Sequence, residues 1–256
     1  MLTADYLQRY ARHIMLPEIG GAGQQTLARS RVLVVGAGGL GAPVLLYLAA
    51  AGVGHLGVVD DDTVDLSNLQ RQVIHDTRSV DRPKVDSAAD RVTALNPLVQ
   101  VDRHAVRLDA ANAAALVADH DLVIDGSDNF DTRFLLADTC HRAEKPLVTA
   151  AILRFEGQVT ISKGYRPDLP CYRCIFPAPP PPGVVPSCAE AGVLGALAGL
   201  VGTIQAIEAV KELLGLGTSL AGHLLLIDTL SMAFDKIAVA KDPACPLCGN
   251  GGRADH

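Results

Sequence analysis

Short apolar runs alternate with helical-period segments through the first half of the chain. Arg31–Val35, residues 56–59 and Leu122–Asp125 are too short for helices and read as buried strands. Between them, residues 40–51 read as a helix that follows a glycine loop, Gly36-Ala37-Gly38-Gly39-Leu40-Gly41. Asp81-Arg82-Pro83-Lys84 predicts a helix start, with Asp81 as N-cap and Pro83 just inside. That helix runs to about Leu95 and stops before Asn96-Pro97. Residues 99–103 predict a strand, and 112–118 and 132–143 predict helices. At the N-terminus residues 6–15 also predict a helix, with Arg9 and Arg12 on its exposed face.

The alternation breaks after residue 146. Residues 147–152 and 157–162 are strand-like and joined by a short link, and His223–Asp228 and 233–239 form a second such pair. Antiparallel pairing follows from links this short. Residues 177–186, PAPPPPGVVP, are stiff and unable to enter a core sheet. The most apolar segment, 191–204, is interrupted by four glycines and followed by Gln205, Glu208 and Lys211. It falls short of the roughly 20 apolar residues of a membrane span and predicts a buried, closely packed helix. The pattern implies an α/β fold of Rossmann-like type. One continuous mixed sheet is expected, parallel in its first half and antiparallel in its second. We divide residues 1–256 into an arm of about 1–30, a nucleotide-binding half of 31–146, and an antiparallel, zinc and partner-binding half of 147–256.

Composition narrows the class. At 256 residues, 49% of them hydrophobic, the chain has enough apolar material for a full core. A net charge of −6 gives no basic surface for nucleic acid or anionic lipid. The N-terminus lacks an apolar signal region, so a cytoplasmic location is expected. In that compartment six cysteines point to metal or catalysis before disulfides.

The glycine loop follows a strand, opens a helix and has Asp60 about 20 residues on, as a dinucleotide site requires. Its glycines let backbone N–H groups approach phosphate at a helix N-terminus. The loop alone does not separate NAD, FAD and ATP. The segment from Asp60 to Lys84, DDDTVDLSNLQRQVIHDTRSVDRPK, makes the separation. Asp60 offers an acid for a ribose, Asn68 an amide, and Arg71 and Lys84 two cations for a polyphosphate. A dehydrogenase has no use for those cations, whereas attack on the α-phosphate of ATP builds negative charge there. Lys84 and Arg82 at a helix N-terminus cost roughly 0.3–1 kcal/mol each, which an anion offsets; two solvated surface charges are the alternative. Asp128 follows a strand in Gly126-Ser127-Asp128-Asn129, placed to hold Mg²⁺ on a nucleotide or to cap the next helix.

Cys171-x-x-Cys174 and Cys245-x-x-Cys248 have the spacing of a closed four-thiolate zinc site; redox pairs or free thiols are the alternative. Cys140 lies in a helical segment and reads as packing. Cys188 precedes the buried helix, where a helix N-terminus lowers a thiol's pKa; an ordinary half-buried cysteine is the other reading.

In this order GAGGLG, DDDTVDLSNLQRQ, RPK, DGSDN, CYRC and CPLC resemble the MoeB/ThiF family, bacterial relatives of the ubiquitin-activating enzymes. The resemblance runs from Arg9 to Cys248. It implies MgATP-dependent adenylation of the C-terminal Gly-Gly carboxylate of a ubiquitin-like sulfur-carrier protein, with release of pyrophosphate. It places Gly38 and Gly39 against the nucleotide and Asp60 on the ribose. It places Asn68, Arg71 and Lys84 on the phosphates and Asp128 on Mg²⁺. Arg12 resembles an arginine finger that reaches the partner subunit's site, which implies a homodimer. The chain ends soon after Cys248 without a rhodanese domain, so a separate sulfur donor is expected, and Cys188 is a candidate for sulfur transfer. The carrier is expected to be MoaD-like, with a ThiS-like carrier or a shared role as alternatives. An NAD-dependent dehydrogenase and a non-catalytic zinc-stabilised binding module are readings of other classes.

Overall fold

The computed structural model describes residues 3–181, 183–184 and 188–249. Three helices lead in: α1 (Ala4–Arg9), α2 (Ala11–Ile14) and α3 (Gly20–Arg29). The alternating half follows as β1 (Arg31–Val35), α4 (Gly41–Ala51), β2 (His55–Val59), α5 (Lys84–Leu95), β3 (Gln100–His104), α6 (Ala113–Ala118), β4 (Leu122–Asp125) and α7 (Phe130–Arg142). The remainder holds β5 (Leu147–Leu153), β6 (Glu156–Ser162), α8 (Tyr172–Ile175), α9 (Cys188–Ala191), α10 (Gly195–Leu214), β7 (His223–Asp228) and β8 (Ala233–Ala238).

All eight strands join one sheet in the order β3-β2-β1-β4-β5-β6-β7-β8. Pairing is parallel from β3 through β5 and antiparallel from β5 through β8, as expected from the link lengths. Strand β1 shows why the centre is stable. Val32 and Val34 join the core under α4, α5 and α10, while Leu33 and Val35 join the core under α6 and α7. Alternate residues thus feed opposite layers, and burial on both faces demands a continuous apolar run. No helix among the described residues is long and apolar enough to cross a membrane.

Four local expectations are corrected. The first helix is broken at Tyr10, which is buried and accepts a hydrogen bond from Asn96 Nδ2 at 2.7 Å on its phenol oxygen. Tertiary anchoring of that ring overrides helix continuity. Helix α3 was not anticipated, because three of the ten residues of GGAGQQTLAR are glycine. Its Gln24 is buried, and its side chain donates to Ala51 O at 2.8 Å. Asp81 is not an N-cap. It sits at φ +68°, its N–H bonded to Val64 O, because the chain pairs with residues 63–64 before the helix; Pro83 occupies the cap position.

The buried helix starts later and runs further than its apolar composition implies. Gly192, at φ +78°, separates α9 from α10. Gln205 and Glu208 then continue α10 while buried, because Gln205 Nε2 donates to Asp125 O at 2.8 Å and Glu208 Oε2 accepts from Leu220 N–H at 3.0 Å.

Helix α10 lies against α4 at Gly202, where a Cβ would stand 2.5 Å from Leu40 O and from Pro43 Cγ. Helix propensity alone favours alanine over glycine by about 1 kcal/mol, but overpacking costs about 1–3 kcal/mol. We therefore expect Gly202→Ala to lower unfolding free energy in urea titration. Unchanged or raised stability would show that the two helices are not in this close contact.

Candidate active site

The strand order reverses direction of growth between β1 and β4, and ligands of such sheets bind beyond the carboxyl ends at that point. A cavity of about 1180 Å³ opens there. It is larger than the roughly 300–1,000 Å³ of ordinary small-molecule sites. One end is lined by Gly36, Gly38, Gly39 and Leu40, and the other extends over β5, β6 and β7 to Ile152, Gln158 and Leu226.

The glycine loop is shaped by backbone contact. Gly36 has φ +96°, and a Cβ on it would meet Gly126 O at 2.7 Å; a Cβ on Gly41 would meet Gly36 O at 1.8 Å. No side chain caps α4, but Ala42 N–H is taken by Gly38 O at 2.9 Å and Pro43 has none, so it is the loop backbone of Gly38, Gly39 and Leu40 that lines the cavity. Asp60, at the end of β2, is committed at both oxygens. Oδ2 accepts from Ala37 N–H at 2.8 Å and Oδ1 from Asp62 N–H at 2.9 Å. Burial pushes its pKa up, opposed by nearby Lys84.

The two cations take different postures. Lys84 is buried at the start of α5, with Nζ 2.8 Å from Asp62 Oδ2. Arg71 is half-buried; its stem would lie 3.5 Å from a Cβ on Gly39, and Nη1 donates to Ser67 O at 3.3 Å. Both line the cavity. Arg82 turns outward to an exposed pair with Asp90 at 2.7 Å, so of the two cations at that helix start only Lys84 faces the cavity.

Asp128 lines the cavity with an exposed carboxylate that has no protein partner among the described residues. The capping of α7 falls to Asn129, whose Oδ1 accepts from Thr132 N–H at 2.9 Å. The turn therefore caps its helix and still presents a free carboxylate.

Beneath that turn lies a buried network that sequence reasoning missed. Asp125 Oδ2 accepts from Arg133 Nε at 3.0 Å and from Thr149 Oγ1 at 2.7 Å. Its Oδ1 accepts from Ser127 N–H and Oγ. Arg133 Nη2 donates to Ser127 O and Ala150 O, both at 3.0 Å. Arg133 and Asp125 are 7% and 0% exposed at their side chains. The network fixes the main chain of Ser127, immediately before Asp128. Tyr172 lies beside it, its phenol pushed up to about 12 by burial.

The four paired cysteines converge, with Sγ–Sγ separations of 3.4 Å for Cys171–Cys245 and Cys174–Cys248 and 3.9 Å for Cys171–Cys174. A tetrahedron of about 2.3 Å Zn–S bonds has edges of about 3.8 Å, so the donor set fits Zn²⁺. The cluster flanks α8. There Arg173 pairs with both oxygens of Asp138 at 2.6 and 2.8 Å and lies over the Phe134 ring at 4.8 Å. Tyr172 and Phe176, beside these cysteines, line the cavity wall. Cys140 is 1% exposed, its thiol pushed up by burial, in keeping with packing.

Two expected site residues lie apart from the cavity, and a third has no described side chain. Asn68 does not line the cavity; its Oδ1 accepts from Asp65 N–H at 3.2 Å in a capping box. Arg12 is exposed on α2 and does not line the chain's own cavity; among the described residues its guanidinium hydrogen-bonds only Met15 Sδ, at 3.9 Å. Cys188 begins α9, and its side chain lies outside the described residues.

Residues 10–247 match the ThiF family. The chain is 53% identical over 253 residues to a sulfur carrier protein adenylyltransferase of Thermus thermophilus, covering 97% of this chain and 93% of that one. It is 54% identical over 251 residues to the SAMP-activating enzyme E1 of Haloferax volcanii, covering 98% and 92%. A probable adenylyltransferase/sulfurtransferase MoeZ of Mycobacterium tuberculosis is 50% identical over 247 residues, and this chain covers 63% of its length. The crystal structure of E. coli MccB with ATP superposes with TM-score 0.81 over 94% of this chain and 75% of that one; at 20% identity it shows a shared fold.

Two measurements probe the buried supports. Arg133→Met leaves Asp125 charged and unpaired, which costs about 3–5 kcal/mol; a loss under about 1 kcal/mol in urea titration would contradict the ion pair. Metal analysis of fresh protein is expected to find one Zn²⁺ per chain. The Cys171→Ser, Cys248→Ser double variant is expected to melt at least about 5 °C lower, since each kcal/mol shifts Tm by about 2–4 °C at this size. Absent zinc or an unchanged Tm would count against a structural metal.

Proposed function

The chain belongs to the ThiF family, and we propose that it adenylates the C-terminal Gly-Gly carboxylate of a ubiquitin-like sulfur-carrier protein with MgATP. The carrier is MoaD-like on this reading, with a ThiS-like carrier or a shared role as the alternative. One observation carries the proposal: Arg71, Lys84 and an uncommitted Asp128 face one cavity beside an uncapped helix start. A hydride-transferring dehydrogenase has no need for that set. The names of the relatives support the same chemistry.

In the proposed reaction a carrier carboxylate oxygen attacks the α-phosphorus, the bond to the bridging β-oxygen breaks, and pyrophosphate leaves. Carboxylate and triphosphate repel, so the site must neutralise both before attack. Gly38 and Gly39 admit the phosphates to backbone N–H groups, and Asp60 receives the ribose. Arg71 and Lys84 offset charge at the phosphates, with Asp62 holding the ammonium in place. Asn68 retains an uncommitted Nδ2 for the same oxygens. Asp128 would hold Mg²⁺, which when bound supplies a divalent charge on the phosphate oxygens.

Arg12 is proposed to serve the partner subunit's cavity in a homodimer. Support comes from its distance from the chain's own cavity and from the exposed apolar Met15 and Leu16 beside it, 71% and 47% exposed. Cys188 is assigned, if anywhere, to sulfur transfer after adenylation, because the first step needs no thiol. Sulfur itself is proposed to come from a separate donor.

Carrier-dependent ATP–pyrophosphate exchange is the test. Asp128→Ala and Arg12→Ala are each expected to lower it at least about 100-fold. A mixture of the two variants, shown to exchange subunits, is expected to regain activity because a mixed dimer holds one site with both residues intact. No rescue would contradict the trans arrangement, and no exchange in the parent with either carrier type would contradict adenylation.

A further inference from the structure

His75 is a buried imidazole bonded to the glycine loop, and the proposed reaction gives it no role. Its Nε2 lies 2.9 Å from Ala37 O and its Nδ1 2.9 Å from Ser87 Oγ. A carbonyl only accepts, so Nε2 carries the ring proton and Nδ1 accepts from the Ser87 hydroxyl. That tautomer is neutral, and burial pushes the ring's pKa down, in keeping with it. Ser87 lies three residues after Lys84 on α5. The ring therefore joins the helix that carries Lys84 to the loop that carries Gly38.

The bond to Ala37 O bears on the next residue. The peptide bonds of the described residues are trans, and in a planar trans peptide the N–H points opposite to the C=O. Holding Ala37 C=O on the buried ring therefore turns Gly38 N–H away from it. Gly38 lines the cavity, and its N–H has no acceptor among the described residues. The other side of Ala37 is held as well, its N–H donating to Asp60 Oδ2 at 2.8 Å. The peptide that follows cannot flip without breaking the His75 bond. A flipped peptide would present a carbonyl oxygen where a phosphate needs a donor.

We propose that His75 is a positioning residue for nucleotide binding: through Ala37 O it holds the Ala37–Gly38 peptide with Gly38 N–H aimed at a phosphate of ATP. The ring itself touches no substrate. The inference rests on the adenylation reading, which supplies the nucleotide. An apolar side chain in its place would leave Ala37 O and the Ser87 hydroxyl unmet and the peptide free to turn.

The test compares His75→Asn with His75→Gln. The Asn amide reaches about as far as Nδ1 and the Gln amide about as far as Nε2, so only the Gln variant keeps a donor at Ala37 O. In calorimetry His75→Asn is expected to raise the Kd for MgATP about tenfold to hundredfold, and His75→Gln to recover to within about threefold of the parent. Adenosine, which has no phosphate, is read by competition against MgATP; its Kd is expected to stay within about twofold of the parent in both variants. An equal loss for MgATP and adenosine, the outcome of a merely structural role, would overturn the proposal. So would an unchanged Kd for MgATP in His75→Asn, or no recovery in His75→Gln. If His75→Asn does not fold, the Gly38 amide of the parent is followed by NMR. MgATP is expected to slow its hydrogen exchange at least about tenfold while adenosine leaves it unchanged, and equal exchange with both would overturn the proposal. Absent MgATP binding in the parent contradicts the adenylation reading itself; MgATP bound equally by the parent and His75→Asn contradicts the role of His75 alone.

Discussion

The exit loops of β1 and β4 touch backbone to backbone, and the site depends on that contact. A side chain on Gly36 would collide with Gly126 O, one on Gly41 with Gly36 O, and one on Gly126 would stand 3.1 Å from Gly41 N. Three glycines therefore meet where the sheet's strand order reverses. Their closeness sets the uncapped start of α4 beside the turn that carries Asp128. The glycine loop and a free carboxylate can share one small volume only because no Cβ separates them.

The second support is polar and lies one layer deeper. Burying Asp125 and Arg133 carries a desolvation cost that only full hydrogen bonding offsets. Each partner is met several times, by Ser127, Thr149 and the carbonyls of Ser127 and Ala150. This ties β4, β5 and α7 together directly under the Asp128 turn. Arg173 carries the connection on from α7 to α8 and so to the four cysteines. The four-cysteine donor set, which could hold zinc, thus stands at one end of a run of contacts whose other end shapes the cavity, with Tyr172 and Phe176 of its neighbourhood in the cavity wall.

Much of this was legible because the decisive signals are local. A short apolar strand, a glycine loop and an acid at the next strand end identify β1-α4-β2 without tertiary knowledge, and two CxxC pairs announce their own geometry. What was missed depends on distant partners. Arg133 reads as a surface charge in helix α7, and nothing near it in sequence shows that Asp125 and the carbonyl of Ala150 will enclose it. Helix α3 is stabilised by the tertiary bonds of Gln24, which override a glycine-rich composition. Asp81 has the composition of an N-cap, but pairing of its neighbours with residues 63–64 pushes it into a left-handed turn.

Together these supports build a cavity that carries Arg71 and Lys84 at its glycine-loop end, with the Asp128 carboxylate held free beside them. The account's central claim is that an oxygen of a carrier's terminal carboxylate attacks the α-phosphorus of ATP in this cavity. It is tested most directly by labelling both oxygens of that carboxylate with ¹⁸O and supplying MgATP and a sulfide nucleophile. Thiolysis breaks the acyl carbon–oxygen bond, so the account predicts AMP carrying one ¹⁸O. Unlabelled AMP, or ADP and phosphate in place of AMP and pyrophosphate, would contradict it.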